Sequence, residues 1–83
     1  MINYIIKDLY TGKTFSNTNN EFYVVGILKT MIELNVIYHY ICYIEINEDN
    51  LSSIEITPTD LFQYLVLKNK IDKQLRRKRN ENS

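Results

Sequence analysis

The chain has no tryptophan and only one cysteine, one histidine, one proline and two glycines, and each shortage removes a class of explanation. A single cysteine cannot form an intrachain disulfide. Cys42 is therefore expected to be a small buried hydrophobe in a reducing, cytoplasmic setting. A single histidine, His39, leaves nucleophilic catalysis without a partner, because Cys42 lies three strand positions away and falls on the opposite sheet face. The one proline and two glycines leave no room for a glycine-rich phosphate loop or a flexible linker. The fragment Thr11-Gly12-Lys13-Thr14 has the end of a P-loop but not its beginning, since Lys7 stands where the first glycine should be. Apolar runs fall far short of the roughly 20 residues of a membrane span. The start MINYIIKDLY carries Asp8 and no small-residue cleavage site, so it reads as a strand and not a secretion signal.

What is present is a modest apolar core and an uneven charge. In 83 residues with 45% hydrophobic content there is room for one domain. Ile, Asn, Lys and Tyr supply 36 of the residues. Their AT-rich codons suggest an AT-rich genome such as that of a phage or mobile element. Net charge is zero, but residues 1–60 carry −5 and residues 61–83 carry +5. An acidic body with a basic end is the strongest global feature.

Periodicity places six elements. Ile2 to Leu9 alternates as a strand, Gly12 suits a turn needing positive φ, and Thr14 to Ser16 starts the return strand. Thr18 and Glu21 have capping-box spacing ahead of a helix whose stripe is Phe22, Val25, Leu28 and Ile32, widened by Tyr23, Ile27, Met31 and Leu34. Gly26 weakens that helix by roughly 1 kcal/mol unless close packing needs it. Asn35 suits a left-handed helix end. Val36 to Asn47 reads as one long strand, with Val36, Tyr38, Tyr40, Cys42, Ile44 and Ile46 beneath the helices and Ile37, His39, Ile41, Tyr43 and Glu45 on the reverse. Glu48-Asp49-Asn50 forms a hairpin loop, and Leu51 to Ile56 returns with Ile54 and Ile56 on the face of Ile44 and Ile46. Thr57-Pro58-Thr59-Asp60 is a helix start. Leu61, Tyr64, Leu65, Ile71 and Leu75 form the buried stripe of the last helix. The expected fold is α+β in the order ββαββα, a mostly antiparallel four-stranded sheet with both helices on one face. Residues 1–75 form the single domain, and residues 76–83 are a frayed basic tail.

No catalytic residue, cofactor or metal site emerges, and the expectation is a non-enzymatic chain. Glu45 and Glu55 share the outer face, but the hairpin lacks both the lysine of a metal nuclease and the ligand series of an EF-hand. The sheet also lacks the glycine-and-aromatic signature of RNA-binding sheets, and Glu45 would repel phosphate. Ile5, Ile37, Ile41 and Tyr43, with His39, would leave the reverse sheet face greasy enough to mark an interface. The leading reading is thus a small protein-binding module, such as a phage or mobile-element inhibitor of a host defence or regulatory system. It would cover a protein partner, or a second copy in a homodimer, through Ile37, His39, Ile41, Tyr43, Glu45, Glu48, Asp49 and Glu55. The alternative is a nucleic-acid-binding regulator using Lys70, Lys73, Arg76, Arg77, Lys78 and Arg79. Four consecutive bases exceed what a helix C-terminus requires.

Overall fold

A computed structural model describes residues 2–46 and 52–81, with side chains to Arg76. The order is β1 (Ile2–Asp8), β2 (Thr14–Thr18), α1 (Glu21–Glu33), a 3₁₀ turn (Ile37–His39), β3 (Tyr40–Ile46), β4 (Ser52–Ile56) and α2 (Pro58–Glu81). The strands form one antiparallel sheet in the order β2-β1-β3-β4. This is the expected ββαββα α+β fold. Among the described residues, no helix is long and apolar enough to cross a membrane.

Alternation decides which side chains face the helices. Tyr4 lies opposite Ile44, which lies opposite Ile54; Ile6, Cys42 and Ile56 form the adjacent row. Tyr4, Ile6 and Cys42 are buried against Val24, Leu28 and Met31 of α1 and Leu61 and Leu65 of α2, so both helices cover the same face. Burial pushes the Cys42 thiol up to about 12, which keeps it protonated and inert. Between β1 and β2, Asp8 organises the turn: its Oδ1 accepts from the amides of Tyr10 (2.8 Å) and Thr11 (3.2 Å). Gly12 supplies the positive φ of 71°.

The 3₁₀ turn corrects the expected long strand. Asn35 ends α1 with φ 58°. The Asn35 amide donates to the Ile32 carbonyl and the Val36 amide to that of Met31, at 3.0 and 2.9 Å, the paired bonds of a Schellman motif. The chain leaves that motif in the helix layer and must step down into the sheet. The turn makes the step and uses Ile37 as a core residue, only 4% exposed. Tyr38 points to solvent instead of lying under the helices. His39 is exposed on the turn, its ring 5.2 Å from that of Tyr10. Neither Ile37 nor His39 belongs to the outer sheet face.

Helix starts differ in how legible they are. Thr57 Oγ1 accepts from the Asp60 amide at 3.2 Å with Pro58 in the first turn, as expected for α2. For α1 the cap is Asn20, which accepts from the amides of Phe22 and Tyr23 at 3.1 and 3.2 Å; Thr18 accepts from the Asn20 amide. Glu21 therefore closes no capping box. Its Oε1 accepts from the Tyr4 hydroxyl at 3.0 Å and forms an ion pair with Lys68 of α2. This three-residue latch joins β1, α1 and α2.

Candidate functional site: exposed apolar surfaces

The outer sheet face is smaller and better capped than expected. Its central row is Asn17, Ile5, Tyr43 and Glu55, flanked by Asn3, Glu45 and Ser53 on one side and Thr14, Lys7 and Ile41 on the other. Ile5, Ile41 and Tyr43 are half-buried. The Lys7 ammonium sits 5.4 Å from the Tyr43 ring centre, and the Tyr43 hydroxyl approaches Glu55 Oε1 at 3.5 Å. Of the partner-binding residues expected from the sequence, Ile41, Tyr43, Glu45 and Glu55 lie on this face. Glu48 and Asp49 lie outside the described residues. Among the described residues, no cluster of His, Cys, Asp and Glu is arranged to hold a metal ion.

The larger apolar opening lies on the other side, along α1. The ladder slips between Ile6 and Lys7: Ile6 pairs with Ser16 but Lys7 with Thr14. Phe15 is thus an extra residue in a β-bulge, which turns its ring edge-on to Tyr40 at 5.5 Å. Phe15 and Tyr40 wall one side of a groove of about 500 Å³, and Phe22, Tyr23 and Ile27 of α1, with Leu34 at its C-terminal end, wall the other. Gly26 and Thr30 also line it, together with Met31 and Val36. None of these lining residues is charged. The Thr30 hydroxyl donates to the Gly26 carbonyl at 2.9 Å, so it is bonded to its own helix. Phe22, placed in the buried stripe by periodicity, is 77% exposed at the rim, and Val24 takes its place in the core.

A groove at this position was partly announced by Gly26. A glycine in a helix interior is costly enough to require a reason. The usual reason, close packing within the molecule, is absent: a Cβ built on Gly26 meets nothing within 4 Å.

The third surface is the distal part of α2. Leu61 and Leu65 are buried, but Tyr64, Leu67, Ile71 and Leu75 are exposed. The core stripe ends one turn before Lys68, not at Leu75. Lys70, Lys73 and Arg76 are exposed on this segment. The helix continues through Arg77, Lys78 and Arg79, whose side chains lie outside the described residues.

The latch marks the boundary. Hydrogen bonding from Lys68 holds the Glu21 carboxyl below its usual range against the opposing effect of burial, and Tyr4 adds to the lowering. The same bond raises Lys68, while burial, followed by the bond to Glu21, raises Tyr4. Each group is held in its neutral-pH form, so the trio is suited to fixing helices and not to moving a proton. Comparison with known proteins returns no family model, no curated protein and no solved structure similar to this chain.

Proposed function

We propose that this chain is a small non-enzymatic protein-binding module that receives the apolar face of a partner's helix in the groove between α1 and β2. The observation that carries the reading is Gly26. Its missing methyl relieves no contact inside the molecule but lowers the groove floor, allowing another backbone to approach closely. A helix fits the shape. From Phe22 to Leu34 the wall runs about 18 Å at the rise of an α-helix, enough for some three turns. Small residues at Gly26 and Thr30 lie where a crossing helix comes nearest, with aromatic and branched side chains on either side. The uncharged lining favours apolar anchors over a charged ligand.

Small size, a composition rich in Ile, Asn, Lys and Tyr, and the lack of a catalytic signature in the sequence together fit a phage or mobile-element inhibitor that acts by occupying a host protein's surface. The outer residues Ile41, Tyr43 and Glu45, half-buried, and the exposed Glu55 offer a mixed surface as a secondary contact. A second reading, nucleic-acid binding, is favoured by the exposed Lys70, Lys73 and Arg76 on the distal part of α2. Such binding would weaken by about one log unit per log unit of salt for each phosphate contacted.

The test is selection of helical peptides from a random library, with binding compared on the wild type and on Gly26→Phe. Selected peptides should carry apolar residues at i, i+3 or i+4, and i+7. They should bind Gly26→Phe at least about tenfold more weakly, which corresponds to about 1.4 kcal/mol. Gly26→Ala should raise thermal stability, by roughly 1 kcal/mol, because nothing opposes its Cβ. Peptides that bind both proteins equally, or a Gly26→Ala chain that is destabilised, would overturn the assignment.

A further inference from the structure

We infer that β4 is a self-complementary edge through which two copies of this chain join their sheets. The sheet has two edges, and they are built differently. β2 is interrupted by the bulge at Phe15, a device that twists an edge away from further pairing. β4 pairs with β3 without interruption from Cys42–Ile56 to Ile46–Ser52. It contains no proline, no lysine and no bulge, and among the described residues no strand pairs with its outer side. The apolar row also runs past the end of the core. Ile44 packs against the core, whereas Ile54, directly opposite it in the ladder, is 52% exposed. Among the described residues, both the ladder and the apolar row thus stop at β4 without being closed off. An added strand would pair the open backbone and cover Ile54 together.

The strand's own sequence suits a second copy. Ser52-Ser53-Ile54-Glu55-Ile56 has its midpoint at Ile54. Antiparallel pairing about that midpoint places Ile54 opposite its counterpart, Glu55 opposite Ser53 and Ile56 opposite Ser52. All the strand's residues enter the ladder. The two-fold axis stands normal to the sheet, so both helix layers lie on the same side and the Ile54 pair fills the gap between them. The register centred on Glu55 would oppose like charges, which is destabilising. The register centred on Ile54 gives an eight-stranded sheet in which the bulged β2 strands form both outer edges. The contact is isologous and closes at two copies.

Sedimentation of the intact chain should show a concentration-dependent dimer, and Ile54→Lys should return it to monomer with an unchanged circular dichroism spectrum. Register is read by disulfide trapping. Opposed Cα atoms in an antiparallel ladder lie about 4.5–5.5 Å apart, within the reach of a disulfide. Oxidised Ile54→Cys should cross-link to a dimer. Ser53→Cys and Glu55→Cys should not do so separately, but should when mixed. Cys42 is buried and does not compete. A wild type that stays monomeric at high concentration, as it would if the edge awaited a foreign strand, overturns the inference. So does a dimer that survives Ile54→Lys, or cross-linking as efficient at Ser53→Cys alone. Helical-peptide binding at the groove should be unaffected by Ile54→Lys, so the two proposals fail separately.

Discussion

The two ends of α2 have the same kind of apolar spacing and opposite fates. Near its start, Leu61 and Leu65 are completely buried beneath the sheet and α1; farther along, Leu67, Ile71 and Leu75 are exposed. Between Leu65 and Ile71 sits Lys68, tied to Glu21 and through it to Tyr4. A helix can be amphipathic along its whole length while the body it packs against covers only the first turns. Periodicity reports which side of a helix is apolar, whereas burial depends on how far the neighbouring elements extend.

The comparison can be broken most forcefully at its buried end. Leu65→Ala should cost about 2–5 kcal/mol, the range for removing a large aliphatic side chain from a closed core. Urea unfolding would measure it, and a loss below about 1 kcal/mol would mean that α2 is loosely seated. The latch should give a smaller effect. Glu21→Gln keeps an acceptor for the Tyr4 hydroxyl but removes the ion pair, which is partly exposed and screened, so about 1 kcal/mol or less is expected.

The pH dependence of that variant sharpens the test. The native Glu21 carboxyl titrates below its unfolded value, so its contribution is present above about pH 4.3 and is lost as pH falls through the native value. Glu21→Gln should flatten this acid-side slope. Lys68, Tyr4 and Cys42 are all raised on folding. Their contributions are complete below their unfolded values and fade as pH climbs through the native ones, beginning near about pH 8.5 for the thiol and about 10 for the other two. Both genotypes should therefore share the alkaline decline, except for the part that Lys68 and Tyr4 owe to the carboxylate. The smallest effect belongs to the exposed end: Leu75→Ala should change stability by no more than about 0.5 kcal/mol. A larger loss in a monomeric sample would show that the distal part of α2 packs on the body.

The elements that were legible share a local cause. Gly12 and Asn35 mark positive-φ positions, Thr57 and Pro58 mark the start of α2, and alternation puts Ile54 and Ile56 on the sheet face of Ile44 and Ile46. The misreadings arose where local rules had two valid solutions. Thr18 and Asn20 could each cap α1, and Asn20 does so because Thr18 still belongs to β2. The alternation from Val36 to Ile46 fits a strand throughout, yet its first residues are used to descend from the helix layer. Alternation alone therefore puts Ile37 on the outer face, whereas it lies in the core. The groove was hidden because α1 has apolar residues around most of its circumference, and the sequence does not say which of Phe22, Tyr23 and Val24 turns inward. Gly26 was the usable signal, since its cost in a helix requires a compensating role.

By itself, the sequence determined the order of the four strands and two helices and the turn positions Gly12 and Asn35, whereas one-sided and two-sided placement of the helices were equally compatible with it. The order and the turns follow from φ preferences, capping chemistry and the two-residue and 3.6-residue periods, all of which act over a few neighbours. Only the tertiary structure decided the strand order, the bulge that brings Phe15 beside Tyr40, the point along α2 where burial stops and the choice of Ile37 as a core residue. Those outcomes depend on which distant segments are in contact and how much surface each covers, and no local pattern encodes that extent.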